Sequence, residues 1–298
     1  MICKTIEIIV LLQFLMFQLG HFQYFELYDH KDPPRSKYPF LVSLRKLDYL
    51  EMHNCSGSLV SFSWVLTSAH CVKPFANNPE KLYMIAGKPN SSEEQIIRSE
   101  TIYYHNQFNE ESFFNDIALV STVRPFERNP SVNIINLPKF TLHIEIRTKC
   151  KYMEVLGFET HEFYYTKPRR VVLRSLMFNY NHSVMSEADC ARNREFKVMK
   201  NTFCGTAKNM TACLADTGGP AICEGLVYGI TYYGCPWDES PSYFTRVDRY
   251  LIFIERILGW EAPFSEEKRN LESGEQCPRT TILSLVLTCV LILVFNKQ

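Results

Sequence analysis

The sequence predicts an all-β protein, a sandwich or a barrel, built for an oxidising compartment. Three observations carry that prediction. Short apolar runs recur between turn residues across most of the chain. Eleven cysteines are present in 298 residues. Only one segment, near the end, repeats its apolar positions at helical spacing. The composition, 46% apolar and 21% charged, is that of a chain with a core. A formal net charge of zero gives no basic field, so nucleic acid is excluded as a partner. There is no glycine-rich phosphate loop, and neither a cofactor nor a metal site is expected.

The ends are set aside before the fold is read. Residues 1–20 carry Lys4 and then an apolar stretch, Ile8-Ile9-Val10-Leu11-Leu12 and Phe14-Leu15-Met16-Phe17, with Gly20 at a cleavage position. This is the pattern of a secretory signal peptide. Residues 261–278 are polar and charged and read as a stalk. Residues 279–298 hold an uncharged run from Ile282 to Phe295. Its fourteen residues span roughly 21 Å as a helix, short of the ~30 Å hydrocarbon core. The tail is therefore read as a GPI-attachment signal, with Ser273-Gly274 as its site, or as a short single-span anchor. Either one places the protein on a membrane, facing outward. Four Asn-X-Ser/Thr acceptors, Asn54, Asn90, Asn181 and Asn209, suit such a glycoprotein.

Within the domain, 21–260, the β runs come in order. They include Phe40-Leu41-Val42-Ser43-Leu44, Gly57-Ser58-Leu59-Val60, Trp64-Val65-Leu66, Leu82-Tyr83-Met84-Ile85-Ala86 and Ile117-Ala118-Leu119-Val120. Further runs cover 152–156, 171–177, 226–230 and 243–245. The exception is 247–258, where positions 247, 250, 251, 254, 257 and 258 are apolar and Gly259 follows. That spacing predicts one closing amphipathic helix ended by the glycine.

Three motifs stand in series: Leu66-Thr67-Ser68-Ala69-His70-Cys71, Asn115-Asp116-Ile117-Ala118-Leu119 and Ala212-Cys213-Leu214-Ala215-Asp216-Thr217-Gly218-Gly219-Pro220. Their order and separations resemble the catalytic-triad motifs of the chymotrypsin/trypsin-like serine proteases, over residues 38–260. The resemblance implies two packed six-stranded β-barrels with a cleft between them. It also implies four disulfides, Cys55–Cys71, Cys150–Cys223, Cys190–Cys204 and Cys213–Cys235. Those use every cysteine of the domain, and Cys3, Cys277 and Cys289 lie outside it.

The same resemblance assigns His70 as base, Asp116 as its orienting acid and Thr217 to the position of the nucleophile. A β-methyl restricts χ1 and crowds the place where hydroxyl, imidazole and substrate carbonyl meet. Ala215 and Thr217 stand at the oxyanion-hole positions. Ala215 replaces a glycine, at a cost of roughly 1 kcal/mol if the turn needs positive φ. Asp216 matches the aspartate that pairs with a freshly cleaved N-terminus in active members. The matching segment here, near Leu27-Tyr28-Asp29-His30, has no glycines and no preceding Arg or Lys. Thr211 takes the specificity-pocket floor, so no buried anion awaits a basic residue, and Ser242 replaces a wall glycine. Tyr232 and Tyr233 either fill that pocket or serve as barrel and surface aromatics. The expectation is an inactive protease homologue at the cell surface that binds a protein partner. The alternative is an endopeptidase with Thr217 as nucleophile and a polypeptide substrate small or apolar at the cleaved position.

Overall fold

The computed structural model describes residues 34–50, 53–138, 145–164, 171–192, 201–206, 217–233 and 241–259; for 159–164, 171–180 and 233 it describes the backbone alone. All the elements below belong to the unit formed by residues 35–298. They build two closed antiparallel barrels of six strands each, as the motifs imply.

The first barrel comprises β1 (Leu41–Lys46), β2 (Cys55–Ser61), β3 (Trp64–Thr67), β4 (Leu82–Ala86), β5 (Gln95–Tyr104) and β6 (Ala118–Thr122). They follow the order β1-β2-β3-β6-β5-β4, and β4 pairs back onto β1 to close the sheet. Closure leaves no open edge to recruit a foreign strand. In β5 the stretch from Ile96 to Glu100 alternates outward and inward, with Ile97 and Ser99 buried. The interior is aliphatic, with Val42, Leu44, Leu59, Val65, Leu66, Met84 and Leu119 buried together.

The second barrel comprises β7 (Tyr152–Tyr164), β8 (Val171–Val184), β9 (Thr202–Thr206), β10 (Pro220–Cys223), β11 (Leu226–Tyr233) and β12 (Ser242–Arg246), in the order β10-β11-β12-β9-β8-β7. Phe203 and Phe244 stack at 4.9 Å in its core. A Cβ on Gly229 would lie 2.7 Å from the Phe203 ring, so the strand has room for glycine alone there. At the end of β12, Arg246 donates from Nε and Nη2 to the two carboxylate oxygens of Asp248, at 3.0 and 2.6 Å. Both side chains are buried, which makes their mutual pairing a condition of their burial.

Three disulfides tie the described segments: Cys55–Cys71, Cys150–Cys223 and Cys190–Cys204. The first closes a separation of 16 residues, worth about 3 kcal/mol in chain entropy, and the second one of 73, worth a little more. Cys213 and Cys235 lie outside the described residues.

The closing helix differs from its expectation. Residues Val247–Arg249 form a 3-10 turn, and the α-helix runs only Leu251–Leu258. Tyr250 separates them at φ −117°, ψ 14°, and its hydroxyl donates to Asn115 and accepts from Asn201. Gly259 does end the helix, in the left-handed region at φ 63°. Leu251 and Ile254 pack into the same core as the first barrel. No helix among the described residues is long and apolar enough to cross a membrane. The predicted leader, stalk and tail lie outside those residues.

Candidate active site

His70 sits in a short helical turn, Ala69–Val72, directly after β3. Asp116 immediately precedes β6, the neighbour of β3, so strand pairing alone brings the two loops together. The Asp116 carboxylate is fully buried and accepts two hydrogen bonds from one residue. The His70 backbone N–H reaches Oδ1 at 2.8 Å, and Nδ1 reaches Oδ2 at 2.6 Å. That second bond fixes the ring orientation and leaves Nε2 facing the cleft, as a general base requires.

Three neighbours hold Asp116 in place. Asn115 adopts positive φ (58°), which turns the chain so that the carboxylate points inward. The Asn115 amide donates to the Gln107 carbonyl, and its Oδ1 accepts from the Tyr250 hydroxyl at 2.8 Å. Thr245 of the second barrel donates to the Asp116 carbonyl at 3.1 Å. Burial pushes the Tyr250 phenol up to about 12, so it remains a donor at any physiological pH.

Thr217 is pinned through its backbone. Its carbonyl accepts from the Ser56 N–H at 2.8 Å. The next residue, Gly218, has φ 83° and donates its N–H to the Thr231 carbonyl at 2.7 Å. A Cβ on Gly218 would collide with the Ser56 carbonyl oxygen and with Thr67 Oγ1, so glycine is obligatory for both reasons. The side chain, 3% exposed, turns toward the neighbouring disulfide. Thr217 Oγ1 lies 3.5 Å from Cys55 Sγ and 3.6 Å from Cys71 Sγ. Nε2 of His70 has Cys71 Sγ at 3.5 Å, and among the described residues it makes no hydrogen bond to the Thr217 hydroxyl. Base and acid are thus joined, while base and hydroxyl are not.

Aromatic rings crowd the histidine. Phe113 meets His70 edge-on at 5.4 Å, and Tyr232 stacks on Phe113 at 6.0 Å. Tyr232 is 3% exposed and also packs against Tyr243, and burial raises its phenol well above the ordinary tyrosine range. Tyr232 is thus a packed aromatic whose ring also borders the cavity beside His70. The remaining cleft has a volume of about 410 Å³ and is lined by His70, Thr217, Tyr232, Phe113, Phe75, Asn54 and Lys46. Ser242 is fully buried in the second barrel, its Oγ 3.2 Å from Nε2 of His182. Thr211, Ala215, Asp216 and the Tyr233 side chain lie outside the described residues. A second cavity of about 470 Å³ is lined by Tyr38, Ile135 and Glu154 among others, and it shares no residue with the cleft.

Cys55, His70 and Cys71 place three potential ligand atoms within 4.8 Å of one another. The two sulfurs are bonded to each other, so neither offers a thiolate to a metal. Sequence reasoning found His70, Asp116 and Thr217. It missed Phe113, Phe75 and Lys46 as cleft residues, although Phe113-Phe114 directly precedes the aspartate motif.

Comparisons with known proteins identify the family. Residues 28–254 match a family model described as Trypsin. The chain is 29% identical over 233 residues to Trypsin-4 of Rattus norvegicus, covering 76% of this chain and 87% of that protein. It is 30% identical over 227 residues to Trypsin V-B of the same species, covering 74% and 84%. It is also 27% identical over 231 residues to Mast cell protease 3 of Ovis aries, covering 77% and 87%.

Proposed function

The chain belongs to the trypsin family of serine proteases, and from that premise we propose a member with its hydrolytic chemistry switched off, displayed outside the cell to bind a protein. One observation carries the reading. The Thr217 hydroxyl faces the sulfurs of Cys55 and Cys71 and has no hydrogen bond from Nε2 of His70. In this orientation the hydroxyl is not poised to pass its proton to the base, and in a related enzyme loss of the activated nucleophile costs on the order of 10⁶ in kcat.

Sequence features support the same conclusion. Ala215 stands at an oxyanion-hole position, and misplacing one such donor costs about 10²–10³ in rate. No glycine-bearing terminus is available near 27–30 to pair with Asp216, and Thr211 removes the acidic pocket floor. Tyr232 and Phe113 pack beside His70 and narrow the cavity in front of it.

The second reading, an endopeptidase with Thr217 as nucleophile, is favoured by the intact His70–Asp116 pair. Incubation of the secreted domain with a diverse peptide library separates the two. The account expects no turnover above a Thr217→Ala control; cleavage that disappears in that variant overturns it. We assign the outward display to the 279–298 tail, as a GPI signal or a short single-span anchor. Phosphatidylinositol-specific phospholipase C is expected to release the protein from cells, whereas retention identifies a single-span anchor.

A further inference from the structure

We propose that Asn54 carries an N-linked oligosaccharide that fills the remaining cleft and screens it from macromolecular partners. The proposal rests on the secretory routing argued above. Asn54-Cys55-Ser56 is an acceptor triplet, and the Asn54 side chain lines the same cavity as His70 and Thr217. Its amide nitrogen has only a long contact of 3.7 Å, to Cys55 Sγ, among the described residues. A substituent on that nitrogen therefore breaks no strong hydrogen bond. Asn90 and Asn181 are exposed and line neither cavity, so a glycan on either leaves the cleft open.

Chemistry and timing are both defined. The Asn54 Nδ2 attacks the anomeric carbon of a lipid-linked oligosaccharide diphosphate. A carbon–nitrogen bond forms, the bond from that carbon to the diphosphate oxygen breaks, and the lipid diphosphate leaves while the amide loses one proton. In the folded protein Ser56 is fully buried, with its Oγ 3.5 Å from Nε2 of His53, and Cys55 is joined to Cys71. Transfer must therefore precede folding of β2 and closure of that disulfide. Once the chain folds, the sugar leaves the protein through the cavity that its asparagine lines. A branched oligosaccharide is bulkier than the about 410 Å³ available, so it excludes other polymers from the space in front of His70.

The test uses the full chain produced in secreting cells. Glycopeptide mass spectrometry is expected to find Asn54 occupied. Lys46, which lines the same cavity, then reports access without any change to the cleft. A bulky amine-reactive polyethylene glycol ester should modify Lys46 at least tenfold faster in Asn54→Gln than in the glycosylated protein. The exposed Lys81, outside the cavity, should react equally in both. Bare Asn54 beside an occupied Asn90 or Asn181 overturns the inference and leaves the secretory reading standing. Sugar on none of the acceptors overturns both. An unchanged Lys46 rate with Asn54 occupied overturns the screening.

Discussion

The two barrels treat their shares of the active site differently. The first supplies His70 and Asp116 with every orienting bond in place: two hydrogen bonds between them, and the carboxylate sealed from solvent. The second supplies Tyr232, stacked on Phe113, and its junction with the first supplies Thr217, whose hydroxyl lies against the Cys55–Cys71 sulfurs rather than on His70. The difference follows from what each part also does for the fold. Asp116 is a junction where the Thr245 hydroxyl and, through Asn115, the Tyr250 phenol meet. Losing a buried, fully hydrogen-bonded carboxylate is expensive whether or not a reaction depends on it. A serine-to-threonine change, or a tyrosine beside the cleft, adds apolar contact and costs the fold little. A retained acid–base pair is therefore weak evidence of activity in this protein.

That comparison can be broken by substitutions, the most damaging first. Gly218→Ala should cost more than about 4 kcal/mol in denaturant unfolding, since it combines positive φ with collisions against Ser56 and Thr67. A tolerated alanine would mean that the Thr217 turn is not pinned as described. Asp116→Ala should lower stability by about 3 kcal/mol whether or not turnover depends on it, because it strands the His70 N–H groups. A stability unchanged by that variant would remove the structural reason given for retaining the pair.

Tyr250→Phe should cost about 1 kcal/mol at neutral pH through the lost bond to Asn115. It also carries a pH signature. The phenol is raised from 10.0 to about 12, so the stability it contributes is complete below pH 10 and is lost as pH climbs toward 12. The variant should lack that alkaline step in its unfolding midpoint. Thr217→Ser has the smallest expected effect on stability, within about 0.5 kcal/mol. On the proposed reading it should yield little peptide cleavage, since Ala215 and Thr211 remain as they were.

Much of the frame was legible before any coordinates. His70 and Asp116 sit in motifs whose family resemblance implies that they meet, and the β3–β6 pairing brings their loops together. The three disulfides among described segments are those the family resemblance implies. The break at Tyr250 was not legible, because apolar spacing reports which face is buried and says nothing of a phenol bonded to Asn115 and Asn201. The Phe113–Tyr232 stack joins residues from different barrels, and periodicity carries no trace of it. Nor does sequence reveal which way a threonine side chain turns. That rotamer is set by packing against a disulfide 146 residues away.

The orientation of the Thr217 hydroxyl is also what a fluorophosphonate probe reads most directly, because the probe bonds only to an activated oxygen. Incubated with the purified protein at neutral pH and mapped by mass spectrometry, the probe should leave Thr217 unmodified. Stoichiometric labelling of Thr217 that is absent in Thr217→Ala and lost on His70→Ala would contradict the account and make this protein a threonine-dependent hydrolase.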